Sequence, residues 1–247
     1  MSRTARQKSK TDIYHVILRG INRQRIFEDE EDYERFLFLL SHYREVSGYS
    51  LYTWCLMPNH IHILLKEGEE PLQKIFRRIG ASFVYWYNMK YGRTGHLFQD
   101  RFKSEAVEDD TYFLTALRYI HRNPVKAGIC SLPEDYPYSS YSSYFDSSMI
   151  DSAFVLGMIS RDDFTAFHKE GLNDSCMEVS EPQHHLTDNQ LKALMKEQWQ
   201  IDDISEFQML PDDARVSVLQ ALLQAGGSIR QISRLTGVSF GIVRKYA

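Results

Sequence analysis

The 247-residue sequence is 43% hydrophobic and 25% charged, with 29 Lys and Arg against 33 Asp and Glu for a net charge of −4. That describes an ordinary soluble chain with a sizeable core; no apolar run approaches the roughly 18 residues of a membrane span, and Met1 to Lys10 has no apolar core of a signal peptide. The three cysteines, Cys55, Cys130 and Cys176, lack CxxC spacing, which excludes a disulfide framework and a zinc ribbon and fits a reduced cytoplasm.

The charge is unevenly spread. Residues 1–130 hold 20 Lys and Arg against 16 Asp and Glu, residues 131–214 hold 4 against 17, and residues 215–247 hold 5 against none. Two basic ends flank an acidic middle, so phosphate binding is expected at the ends. The basic start, MSRTARQKSK, reads as a flexible arm with weak DNA contact.

Ile13 to Arg19 has the β-branched and aromatic content of a strand. Glu28 to Val46 is an amphipathic helix with Tyr33, Phe36, Leu37, Leu40 and Tyr43 on one side. A strand around Tyr49 to Cys55 leads into WCLMPNHIHILLK (Trp54 to Lys66), which Pro58-Asn59 interrupts. In a strand, side chains at i and i+2 share a face, so His60 and His62 aim at one point while Ile61 points away. That geometry suits a metal ion; the plainer alternative is two partly exposed histidines with ordinary hydrogen bonds. Helix follows from about Pro71 to Met89, then a strand from about Leu97 to Val107. The pattern predicts an α+β fold, a ferredoxin-like antiparallel sheet with helices packed on one face.

Asp109 to Gly128 opens with acids suited to a helix N-terminus and continues at helical spacing. Tyr119 and Asn123, four apart, share a face, although Asn123 precedes Pro124 and its backbone is therefore biased away from helix. His121 lies roughly on the far side from Tyr119. Cations interleave with aromatics through this region: Arg19, Arg23 and Arg25 beside Phe27, Arg77 and Arg78 beside Phe76, Arg101 and Lys103 beside Phe98 and Phe102. Single-stranded nucleic acid needs that combination, with stacking contributing roughly 1–3 kcal/mol per base. Most of the aromatics are expected in the core, which leaves Arg19, Arg23, Arg78, Arg101 and Lys103 as DNA contacts.

Past Gly128, Leu132 to Ser148 is a Ser-, Tyr- and Pro-rich covering segment. Acidic helical pieces, Asp162 to Lys169 and Thr187 to Trp199, alternate with polar stretches; adjacent His184 and His185 diverge in either helix or strand and are discounted as a metal pair. The acidic middle reads as a solvated surface or, more sharply, as a screen over a basic DNA groove. The stretch Val216 to Ala247 resembles a helix-turn-helix: Val218 to Ala225, a break at Gly226-Gly227, Ser228 capping Ile229 to Leu235, and Ser239 capping a last helix. Ile232, Leu235, Val238 and Val243 point inward, leaving Arg230, Arg234, Arg244 and Lys245 for DNA.

Four blocks carry a resemblance: RGINRQRIF (Arg19 to Phe27), PNHIHILL (Pro58 to Leu65), GHLFQDRFKS (Gly95 to Ser104) and RYIHRNPVKAG (Arg118 to Gly128). In this order they resemble the HUH single-strand tyrosine transposases, and within them the REP-associated tyrosine transposases. The resemblance implies Tyr119 as nucleophile and a divalent metal, Mg2+ or Mn2+, on His60 and His62, with Asn123 as third ligand and His121 as a rival. It implies a 5′-phosphotyrosine intermediate on single-stranded hairpin DNA of the REP palindrome type, with Arg118 and Arg122 as supporting cations and a monomer or homodimer as the working form. The expected segments are a catalytic domain at 1–147, an acidic connecting region at 148–214 and the helix-turn-helix at 215–247. The alternatives are a domesticated DNA-binding regulator without catalysis, and a rolling-circle initiator or relaxase of the wider HUH group.

Overall fold

Strand β1 (Ile13–Arg19) begins the fold in this computed structural model, which describes residues 8–146, 149–169, 176–177 and 186–246. Helix α1 (Glu30–Ser47) opens on Asp29, whose carboxylate and the Asp32 side chain form a reciprocal capping box, and ends at Gly48 with φ 64°. That left-handed position suits glycine, which carries no Cβ to clash. Strands β2 (Ser50–Met57) and β3 (His60–Lys66) form a hairpin around Pro58-Asn59, with Met57 opposite His60. Helix α2 (Leu72–Lys90), strand β4 (Lys103–Ala106) and helix α3 (Asp110–Lys126) follow, and the Asp109 carboxylate accepts from the Tyr112 amide at 2.7 Å to cap α3.

The four strands run antiparallel in the order β2-β3-β1-β4, the ferredoxin-like order expected for a βαββαβ unit. Strand β4 is shorter than the predicted 97–107 because Leu97 to Phe102 leaves the ladder, keeping one bridge from Phe98 to Gly20. The register places Ile61, Ile63 and Leu65 beside Leu56, Trp54 and Leu51 and beside Leu18, Val16 and Tyr14, all buried. Helices α1 and α2 cover this face, joined by the Phe36 and Phe83 rings at 5.2 Å.

Helix α3 lies on the other face, where Thr53 meets His121 and Tyr112 bonds Glu105. The expectation of helices on a single face therefore holds only for α1 and α2. The physical reason is that Ile13, His15, Ile17, Cys55 and Leu64 make the second face as buried as the first, so it too requires a cover.

Helices α4 (Ser143–Asp146), α5 (Ser152–Leu156) and α6 (Arg161–Lys169) come next, followed by α7 (Asp188–Trp199), α8 (Ile204–Met209), α9 (Asp212–Gln224), α10 (Ile229–Thr236) and α11 (Phe240–Val243). The chain divides into two compact units, Met1–Val179 and Ser180–Ala247, and not at the expected boundaries of 147/148 and 214/215. Packing explains the difference. Ile150, Val155 and Phe164 are buried in the first core, whereas Leu191, Met195, Ile201 and Phe207 share the second with Leu222, Ile232 and Val243. The acidic middle is thus split between the units, its apolar residues inside and its carboxylates outside. His184 and His185 lie outside the described residues.

In the second unit, Ser228 caps α10 through a capping box with Gln231, and Gly237 ends it at φ 72°. Ile232, Leu235 and Val243 are buried as expected, but the last α-helix is a single turn continued as 3-10 helix at Arg244–Tyr246. Among the described residues no helix is long and apolar enough to cross a membrane.

Candidate active site

Strand β3 sets the first two site residues. Opposite His60 and His62 on β1 stand Arg19 and Ile17, so both imidazoles rise from the face that α3 covers. Their rings lie 5.0 Å apart at 80°, and the Tyr119 ring stands 5.8 Å from that of His62. The Asn123 side chain is near enough to His60 to bear on its pKa, and its Nδ2 donates to the Tyr119 carbonyl at 3.2 Å. Tyr119, Asn123, His60 and His62 therefore meet across the α3–β3 contact. The proline does not break this geometry: α3 continues through Pro124, and the Asn123 carbonyl accepts from the Ala127 amide at 2.9 Å. Lys126 holds its ammonium 5.4 Å from the centre of the Tyr119 ring.

The local sequence builds the turn that carries His60. Gly20 donates to the Asn59 carbonyl and Ile26 to that of Pro58, which stitches the RGINRQRIF segment onto the PNHIH hairpin. Gly20 is required there, because a Cβ would come within 2.3 Å of the Gln24 carbonyl oxygen. Asn22 and Arg23 both adopt positive φ, 51° and 61°, a strained backbone at the edge of the site. Asn59 Nδ2 donates to the Arg23 carbonyl at 3.4 Å, which turns its Oδ1 toward His60 Nδ1 at 2.7 Å. The His60 proton then sits on Nδ1 and leaves the Nε2 lone pair available to a ligand.

Sequence reasoning missed His15. It is fully buried, and its Nε2 lies 2.9 Å from His62 Nδ1. A His62 that offers Nε2 to a metal carries its proton on Nδ1 and donates it to His15. Nδ1 of His15 is itself buried without a hydrogen-bond partner. The signal was present only as alternation in β1, since which strand faces β3 is a matter of topology.

The electrostatics keep these rings neutral. Burial pushes His15 down to about 3; burial and then the Arg19 guanidinium bring His60 to about 4. Burial, with His15 and His60 adding to it, drives His62 well below its usual value. Neutral imidazoles are the form that binds a metal. Two imidazoles and an amide fit a divalent ion that leaves positions for phosphate oxygens, and among the described residues no group of three His, Cys, Asp or Glu forms a competing site.

His121 belongs to a different network and is no rival ligand. His168 Nδ1 donates to the Phe164 carbonyl at 2.8 Å, so its Nε2 accepts from His121 Nδ1 at 2.8 Å. His121 Nε2 then accepts from Thr53 at 2.7 Å or Ser140 at 3.0 Å. Burial holds His121 well below the ordinary histidine range. Histidines kept neutral in the fold take up protons near 6.5 once unfolded, so the unfolded chain binds more protons in acid. The unfolding free energy of metal-free protein, from urea titration, is expected to fall as pH drops from about 6.5 toward 4, by roughly 1.4 kcal/mol per pH unit for each of His15, His62 and His121. A flat profile over that range contradicts this burial.

The predicted DNA contacts separate into two groups. Arg19 stands beside His60, Lys103 is across β1 from His62 on the same face, and Arg23 is in the stitched turn. Arg101 is exposed in the Leu97 to Phe102 segment. By contrast, Arg78 donates to Glu70 at 2.5 Å, on α2 behind the sheet. Arg118 stacks 4.4 Å from the Phe167 ring and Arg122 donates to the His168 carbonyl at 2.5 Å, so both hold the end of α6. In the second unit Arg230, Arg244 and Lys245 are exposed, whereas Arg234 pairs with Asp188 at 2.5 Å.

Residues 8–123 match the family described as transposase IS200 like. A Haemophilus influenzae protein named as a REP-associated tyrosine transposase is 32% identical over 99 residues, covering 35% of this chain and 56% of the relative. The Escherichia coli REP-associated tyrosine transposase is 26% identical over 95 residues, covering 38% and 54%. The chain thus spans about half the length of the curated relatives it matches. The fold is that of a solved REP-associated tyrosine transposase bound to a REP hairpin, with TM-score 0.52 and 18% identity over 73% of this chain and 94% of that one. Through residues 8–123 the chain is similar to the IS200-like transposase family, and the relatives it matches are REP-associated tyrosine transposases.

Proposed function

We propose that this chain is a metal-dependent transposase that cuts and rejoins single-stranded hairpin DNA through Tyr119. The observation that carries this reading is the meeting of Tyr119, His60, His62 and Asn123 across α3 and β3. His60 and His62, through Nε2, and Asn123 would hold Mg2+ or Mn2+. When bound, that ion polarises a non-bridging oxygen of the scissile phosphate and orients the phosphate for in-line attack. Arg19, opposite His60 on β1, would supply a second positive charge at the site.

Tyr119 Oη forms the new bond to phosphorus, and the bond from phosphorus to the 3′ oxygen breaks. The phenol gives up its proton and the departing 3′ oxygen gains one, leaving a 5′-phosphotyrosine and a free 3′ hydroxyl. Because one phosphodiester is exchanged for another, a 3′ hydroxyl of a second strand can reverse the step, and no nucleotide hydrolysis is needed. A phenol has a pKa near 10, and the Lys126 ammonium, 5.4 Å from the centre of the Tyr119 ring, is placed to offset charge near the attacking group.

Hairpin DNA is the proposed partner because the relative of like fold is bound to a REP hairpin. Arg230, Arg244 and Lys245 of the C-terminal helices are proposed as an additional DNA contact. The test is incubation with labelled single-stranded hairpins and Mg2+ or Mn2+, read on a denaturing gel. A metal-dependent covalent band supports the reading, and binding without adduct over a broad panel favours a regulator instead.

His15 enters as a positioning residue, acting through His62. Removing a partner of this kind costs about 10- to 100-fold in metal affinity. His15→Leu is expected to weaken Mn2+ binding, followed by electron paramagnetic resonance, by that amount, with a lower melting temperature as well, since the buried His62 Nδ1 proton loses its acceptor. Unchanged Mn2+ affinity removes His15 from the site.

A further inference from the structure

Behind the sheet, on the side away from the histidines, a cleft of about 650 Å³ opens between the end of β1, helix α2 and the segment Leu97 to Phe102. Phe76, Phe98 and Phe102 line it, with Arg77 and Arg101 at its mouth and Gly80 in its helical wall. The Phe76 and Phe102 rings support one another at 4.9 Å and 41°.

Gly80 is the informative residue. It sits in the interior of α2, where glycine costs helix stability relative to alanine. Nothing in the protein calls for it: a Cβ at Gly80 would meet no atom within 4 Å, in contrast to Gly20, where the backbone leaves no room. A small residue at a costly position, with open space above it, keeps the cleft wide.

The chemistry of the walls names the occupant. Aromatic faces with guanidinium groups at the rim take an unstacked base and its phosphate. The position fits as well. Phe98 is bridged to Gly20, Gln99 donates to the Arg19 carbonyl at 2.8 Å, and Leu18 lines the cleft while its neighbour Arg19 stands beside His60 on the other face. A DNA strand crossing the end of β1 would have its scissile phosphate at the histidines and a flanking base at the cleft.

We propose that this cleft is a nucleobase pocket that binds an unstacked base of the single strand flanking the cleavage site. Phe98 and Phe102 supply the stacking surface, backed by the buried Phe76, and Arg77 and Arg101 the phosphate contacts. The proposal rests on the single-strand reading given above and adds to it a site outside the catalytic face.

The full-length chain tests it. Gly80→Phe fills the cleft from a helical position where the new side chain meets open space, and Gly80→Ala is the control with the cleft still open. Binding is measured by fluorescence anisotropy with a hairpin oligonucleotide carrying single-stranded flanks and with the same hairpin trimmed of them, and 2-aminopurine is walked through the flanks. Expected are an affinity of Gly80→Phe for the flanked oligonucleotide about tenfold or more below wild type, as loss of one stacked base implies, little change for the trimmed hairpin, and loss of a 2-aminopurine signal that wild type and Gly80→Ala show at one flank position. Should Gly80→Phe melt early, Arg77→Ala with Arg101→Ala reports through the same 2-aminopurine position. Wild-type cleavage of the hairpin together with an unchanged Gly80→Phe overturns the pocket alone; a wild type that binds neither oligonucleotide overturns the functional reading with it. A concentration-dependent dimer of wild type abolished by Gly80→Phe, with DNA affinity unmoved, would make the occupant a second copy of this chain and also overturns the proposal.

Discussion

Tyr119→Phe is expected to eliminate strand cleavage and the covalent adduct, by roughly 10⁴-fold or more, as removal of a nucleophile does elsewhere. The change deletes one oxygen and keeps the ring, so the edge contacts of that ring with His62 at 5.8 Å and His15 at 6.2 Å survive. Melting temperature and hairpin affinity should therefore stay close to wild type. That pairing of outcomes separates a chemical role from a structural one, because Tyr119 is only 6% exposed and a merely packed tyrosine would report through stability instead. A variant that still cuts at a comparable rate places the nucleophile elsewhere among the fifteen tyrosines.

His60→Ala and His62→Ala are each expected to reduce cleavage by about 10³-fold or more, since each deletes one of the two imidazoles proposed to hold the ion. They should part company in stability. His60 is half-buried and stands at the hairpin turn, whereas His62 is 1% exposed and bonded to His15. Truncating His62 leaves a cavity and strands its partner, which costs about 2–4 kcal/mol. His60→Ala should fold nearly as well as wild type. Cleavage and Mn2+ affinity measured side by side check the point: if Mn2+ binding survives both substitutions, the metal is not at this pair.

Much of the fold was legible in the residues because local periodicity and topology agree. The strand character of Ile13 to Arg19 and the break at Pro58-Asn59 read directly, and so did the acids from Asp109 that open the tyrosine helix. Together they place a βαββαβ unit whose sheet order follows from its connections. The HxH pair was readable for the same reason: a period of two puts His60 and His62 on one face whatever the strand packs against. Tyr119 and Asn123 were readable as a helical pair, and the structure removes the doubt raised by Pro124, since a proline near the end of a helix sacrifices one hydrogen bond without ending it there.

What stayed hidden depends on partners distant in sequence. His15 meets His62 only because β1 is the neighbour of β3, and His121 meets His168 only because α6 docks on α3. The same docking explains Arg118 and Arg122. From the sequence both are cations flanking the tyrosine; in the fold their side chains reach Phe167 and His168 of α6. Glu70 engages Arg78 and Asp188 engages Arg234 in the same way. A count of charge along the chain cannot tell a solvated arginine from one already bonded by a carboxylate. The domain limits were misplaced for a related reason: composition marks the acidic surface of residues 150–214, whereas core membership is decided by a few apolar residues such as Val155, Phe164 and Phe207.

The most direct test of the central claim is to trap the adduct on a hairpin oligonucleotide with Mg2+ or Mn2+, digest it with nuclease and protease, and locate the modified residue by mass spectrometry. The account predicts a nucleotide linked through a 5′ phosphate to the peptide containing Tyr119, formed only with metal and absent from His62→Ala. Linkage to any other residue, or cleavage that proceeds with metal and never yields a protein-bound 5′ end, would contradict it.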